Sequence, residues 1–122
     1  MTTPTDLDPV GRDLPGTLRS FLAAHAAGDV EASLQQLRPD AVVTDQGERF
    51  AGTSEVRAFL ERAGNEFTYT TTLLNADRVD PECWAVRVRL DGDFPGGVAV
   101  LDYRFRLEGD LVGGLDIVPV RA

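Results

Sequence analysis

A chain of 122 residues with 43% hydrophobic residues suffices for one domain with a real core, and its net charge of −8, from 20 acidic and 12 basic residues, argues against a phosphate-tracking nucleic-acid surface. One cysteine (Cys83) and one histidine (His25) leave no internal disulfide and no Cys/His metal site. No apolar run nears the roughly 20 residues of a membrane span, and the polar, acidic N-terminus lacks the make-up of a signal peptide, so a cytoplasmic protein with neither nucleic-acid nor membrane partner is expected.

Residues 1–13 hold two Pro, one Gly and three Asp and read as a disordered tail, with a single domain over 14–122. A first helix is predicted from Leu14-Pro15, because Leu14, Leu18, Phe21, Leu22 and His25 recur on one helical face. Gly28 ends it and Asp29 caps a second helix. Val30, Leu34 and Leu37 form that helix's apolar face, and Pro39 closes it. A strand follows over 41–45, then a polar excursion with a short strand at Glu48-Arg49-Phe50. Thr53 or Ser54 caps a third helix, with Val56, Phe59, Leu60 and Ala63 inward and Gly64 as its stop.

The period then changes to two. Segments 67–76, 83–90, 98–107 and 111–120 alternate, punctuated by Pro81, Asp91-Gly92-Asp93, Pro95-Gly96-Gly97 and Glu108-Gly109-Asp110. Trp84, Val86, Val88 and Leu90 share one face; Arg87 and Arg89 take the other. Leu101, Tyr103, Phe105 and Leu107 oppose Asp102, Arg104 and Arg106. Four such strands predict an antiparallel meander with one buried face. The expected class is α+β: a cone-shaped, curved antiparallel sheet wrapped around about three N-terminal helices, with an internal cavity.

Two strings, AAGDVEASLQQLRPDAVVTDQGERFAGTSEVRAFL (26–60) and LDYRFRLEGDLVGGLDIV (101–118), carry a resemblance to the nuclear transport factor 2-like superfamily, in particular its SnoaL-like and ketosteroid isomerase-like members. The resemblance spans roughly residues 14–120. It implies a conical α+β barrel with a pocket at its open end, and commonly a homodimer through the outer sheet face. Its members include isomerases, cyclases, hydrolases and non-catalytic binding subunits, so it fixes fold before function.

Asp45 matches the general base of the ketosteroid isomerase-like proteins. A carboxylate ending a buried strand loses solvation, which raises its pKa toward that of a proton acceptor. It equally fits as the residue that starts the Asp45-Gln46-Gly47 turn. The isomerases also use a Tyr and a protonated Asp as an oxyanion hole. The Tyr position falls on Phe21, which has no hydroxyl, and the Asp position on Leu101 or Asp102. Alternation selects Leu101 for the inner face and leaves Asp102 outside, beside Arg87, Arg89 or Arg104. Leu115 and Ile117 are inward candidates and Asp116 an outward one.

His25 is a candidate acid–base partner of Asp45, or a buried histidine bonded to backbone. Phe21, Phe67, Tyr69, Trp84, Tyr103 and Phe105 are candidates for an aromatic ligand wall, or simple core. Phe94 in the Asp93-Phe94-Pro95-Gly96-Gly97 turn is a candidate lid or a surface residue. Arg87, Arg89, Arg104 and Arg106, with Thr68, Thr70, Thr72 and Asp102, form a polar outer face, fit for a dimer interface or for solvent.

The expected function is binding of a small apolar, carbonyl- or polyketide-like molecule in the cavity. Asp45 would catalyse proton transfer, and His25 or Tyr103 would polarise the oxygen. No Gly-rich phosphate loop follows a strand, so no cofactor is expected. The alternatives are a non-catalytic dimeric ligand-binding domain and an interaction module built on the sheet face.

Overall fold

The structure, a computed structural model, describes residues 14–65 and 69–120, with backbone alone for 63–65. The expected tail 1–13, Phe67 and Thr68, and the side chain of Ala63 lie outside the described residues. Three helices, α1 (Gly16–Ala26), α2 (Val30–Gln35) and α3 (Gly52–Asn65), combine with six strands. The strands are β1 (Leu37–Asp45), β2 (Glu48–Ala51), β3 (Tyr69–Asp80), β4 (Cys83–Gly92), β5 (Val98–Glu108) and β6 (Leu111–Pro119). They form one curved, unclosed sheet in the order β2-β1-β6-β5-β4-β3. No helix among the described residues is long and apolar enough to cross a membrane.

Local chemistry places the first helices as expected. Gly28 takes φ +72°, a conformation that costs glycine little, and ends α1. The Asp29 carboxylate then accepts the Ala32 N–H at 3.0 Å and caps α2. Several boundaries differ from the sequence reading: β3 and β4 run on to Asp80 and Gly92, and the ends of α2, β1 and α3 shift. Helix α2 stops at Gln35, so Leu37 and Pro39 belong to β1. Leu37 is buried there as a strand residue, because β1 reaches back along β6 and pairs Leu37 with Val112. Helix α3 runs one residue past Gly64. At its start the Glu55 carboxylate accepts the Ala51 N–H at 2.9 Å, while the Thr53 hydroxyl donates to the Pro39 carbonyl at 3.4 Å.

Strands β3 to β6 form the expected antiparallel meander. The sheet as a whole is mixed, which corrects the antiparallel expectation: β6 returns beside β1 and runs parallel to it. Strand β2, helix α3 and strands β3 to β5 separate these two strands, so no hairpin dictates their relative direction. The inner face packs on α1 and α3. Leu18 and Phe21 of α1, with Val56, Phe59 and Leu60 of α3, meet Val43, Val86, Phe105, Leu115 and Ile117 in one core. Arg57 of α3 pairs with Glu31 of α2. Outside, Asp102 accepts both Nε and Nη2 of Arg87, at 2.9 and 3.1 Å, as the alternation required. The Arg87 guanidinium holds the Asp102 carboxyl below its ordinary range.

Candidate functional site

A cavity of about 280 Å³ opens between the inner sheet face, α1, α3 and the β4–β5 turn. Its polar groups are His25, Asp45, Gln46, Tyr69 and Tyr103. One register row builds its floor. Asp45 of β1 and Tyr103 of β5 both pair with Ile117 of β6, so the three side chains point to the same face. Asp45 and Tyr103 therefore stand two strands apart, roughly 10 Å between Cα atoms. Tyr69 enters from β3, at the register of Gly92. Asp45 ends its strand because Gln46 turns away with φ +51° while its N–H still donates to the Ile117 carbonyl, at 2.9 Å.

Helix α1 supplies His25. Its ring lies nearly parallel to Phe21 (centroids 5.6 Å, 18°) and Phe59 (6.3 Å, 22°), and 6.0 Å from Tyr103. This apolar setting strips the ring of water and pushes its pKa down to about 4. The imidazole is therefore neutral at neutral pH. Burial first, and then repulsion from Tyr69 once it ionises and from the Asp45 carboxylate, pushes the Tyr103 hydroxyl well above its ordinary range. Burial also raises Tyr69. Both phenols stay protonated and can donate.

No buried side-chain N or O among the described residues lacks a partner, and neither the His25 ring nor the Tyr103 hydroxyl hydrogen-bonds to another described residue. Their polar atoms therefore open on the cavity. The expected direct His25–Asp45 pair does not form: the imidazole lies against aromatic rings, and desolvation is what shifts it.

The site collects Asp45, His25, Tyr69, Phe94 and Tyr103 from the sequence candidates. Leu101 lines it too, as alternation indicated. Phe21, Trp84 and Phe105, expected on the ligand wall, are off it. Trp84 and Phe105 pair one row deeper on the inner face, beside Leu115, and Phe21 packs edge-on against Phe105 at 5.7 Å. Phe21 and Phe105 are buried core, one layer behind the cavity. Phe94 and Pro95 reach the mouth from a turn held by Gly97 N–H to the Phe94 carbonyl, 2.9 Å, with Gly96 and Gly97 at positive φ. Phe59 and Ile117 were read as core, and Gln46 as plain turn; all three line the cavity. The position of Gln46 after Asp45 was the available signal.

A larger hollow, about 760 Å³, lies on the outer sheet face. Val42, Thr44, Arg49, Arg104 and Asp116 line it, and Trp84 and Phe105 border it. Arg87, Arg89 and Arg106 pair within the chain, whereas Arg49 and Arg104 form no ion pair among the described residues. No group of three or more His, Cys, Asp or Glu there or elsewhere among the described residues is placed to hold a metal ion.

Several solved structures share this fold. A candidate polyketide cyclase from Sinorhizobium meliloti is 29% identical, with a TM-score of 0.80 over 87% of this chain and 96% of that one. A protein of ketosteroid isomerase-like fold from Catenulispora acidiphila, in complex with trimethylamine, is 14% identical, with a TM-score of 0.75 over 85% of each chain. A nuclear transport factor 2-like protein of unknown function from Cytophaga hutchinsonii is 10% identical, with a TM-score of 0.70 over 89% of this chain and 94% of that one. No curated protein matches the sequence significantly. The SnoaL-like domain model matches residues 18–112, and with the cone-like α+β architecture this makes the chain a member of the SnoaL-like domain family, within the nuclear transport factor 2-like superfamily.

Proposed function

We propose that the cavity binds a small apolar molecule bearing a carbonyl, of polyketide-like kind, and that Asp45 catalyses a cofactor-independent proton transfer on it. The observation that carries this reading is the row Asp45–Ile117–Tyr103, which sets a carboxylate and a protonated phenol on one cavity floor. The Asp45 carboxylate takes a proton from the carbon next to the carbonyl. The C–H electron pair moves into the carbonyl, and the Tyr103 O–H, with neutral His25 beside it, donates to the enolate oxygen. Where a C=C is conjugated with the enolate, Asp45 returns the proton to its far carbon, which gives an isomer; otherwise the enolate carbon attacks a second carbonyl, whose oxygen takes the proton from Asp45, which gives a ring. The volume, about 280 Å³, sits just below the usual range for small-molecule cavities, about 300 to 1,000 Å³, so the ligand is compact.

A screen of carbonyl compounds against wild type and Asp45→Asn tests the proposal. Turnover by wild type that falls at least about a hundredfold in Asp45→Asn is expected. Equal turnover by both variants sinks Asp45 as the base.

A second reading, binding without catalysis, is favoured by Phe21. It puts a buried phenyl where the resemblance asks for a hydroxyl. In both readings two copies associate through the outer hollow, whose lining includes Arg49, Arg104, Asp80 and Asp116, charges of both signs that can pair across a two-fold axis.

A further inference from the structure

The charge of the cavity wall is one-sided. Twelve of the described residues line it, and these include one carboxylate, Asp45, and no arginine. The chain contains no lysine, so no ammonium group is available either. His25 is neutral at working pH, and Tyr69 and Tyr103 are protonated. A carboxylate, phosphate or other anionic ligand would lose its water opposite Asp45 and gain no cation from these residues in return. The rest of the wall is rich in rings: Phe59, Tyr69, Phe94 and Tyr103. Ring faces attract cations, above all weakly hydrated organic ones whose methyl groups also bury apolar surface. A few aromatic rings with one carboxylate, around a compact volume, make up the chemistry that recognises an alkylated ammonium group.

We propose that this cavity binds a small alkylammonium cation, with the Asp45 carboxylate as counter-ion and the rings of Tyr69, Phe94 and Tyr103 around its methyl groups. This goes beyond the proton-transfer reading. It uses the same cavity and requires no catalysis.

Three probes of one shape and different charge decide it. Choline carries a trimethylammonium group. Dimethylbutanol replaces that group with neutral tert-butyl, and dimethylbutanoate keeps the tert-butyl but carries a carboxylate. Binding to the full chain is measured by calorimetry, with an apolar ketone in parallel. Choline is expected to bind about tenfold or more tighter than dimethylbutanol, with no detectable binding of dimethylbutanoate. Asp45→Asn should bring choline and dimethylbutanol together. Phe94→Ala, a change in a surface turn, should weaken choline more than dimethylbutanol. Equal binding of choline and dimethylbutanol by wild type overturns the proposal, as does unequal binding that survives Asp45→Asn, or an equal loss of both in Phe94→Ala. If the ketone binds and choline does not, the cation reading falls and the carbonyl reading stands. If choline binds and the ketone does not, the carbonyl reading falls alone.

Discussion

Between pH 6.5 and 4, acid should weaken this protein chiefly through His25. In the fold its pKa is about 4, against an ordinary 6.5. Above pH 6.5 the imidazole is neutral in both folded and unfolded chains, and stability does not depend on it. Between 6.5 and about 4 the unfolded chain binds a proton that the folded chain refuses. Stability is then lost as pH falls, at about 1.4 kcal/mol per pH unit. Below about 4 both states are protonated and the loss stops. The whole window removes about 3 kcal/mol, a large part of the roughly 5 to 15 kcal/mol that holds a typical domain together. The cause is the packing of the ring against Phe21, Phe59 and Tyr103.

Urea denaturation of wild type and His25→Gln at steps from pH 7.5 to 4 measures this. Carboxylates titrate in both proteins at the acid end, so the difference between the two curves isolates the imidazole. Wild type should lose stability faster than the variant from pH 6.5 downward. Parallel curves, or an imidazole that titrates near 6.5 by NMR, would refute the reasoning and mean that water reaches the ring freely.

Two further changes test the core and the outer face. Phe105→Ala empties a site 1% exposed, next to Phe21, and should cost about 3 to 5 kcal/mol in a chemical melt; a cost below about 1 kcal/mol would place Phe105 in a site that collapses or is wet. Arg104→Glu puts a negative charge into the outer hollow opposite the partner's acids, and should shift a sheet-face dimer to monomer in sedimentation. A wild-type monomer at the concentrations tested would remove that interface.

Much of the fold was legible because the signals were local. Period-two alternation over the last four strands reported which side of each strand is buried, since successive side chains of a strand point to opposite faces. That is why, of the two residues on which the isomerase Asp position could fall, Leu101 was placed inside and Asp102 outside with Arg87. Gly28 and Asp29 fixed the join of the first two helices by backbone freedom and capping. Pro39 misled, because it sits in β1 rather than ending a helix.

What the residues alone determined about this protein is face: Asp45, Tyr103 and His25 on inner surfaces, the arginine stripe on the outer one. Depth along a face is a different quantity, and only the tertiary structure decided it. Tyr103 and Phe105 share a strand and a face, two residues apart, yet one meets the cavity and the other is sealed behind it. The difference comes from where α1 crosses the sheet and where β6 settles beside β1. Those are long-range packings, and neither period nor composition encodes them. The same packing put His25 among aromatic rings and so made a common residue into a neutral one, set on one cavity with Asp45.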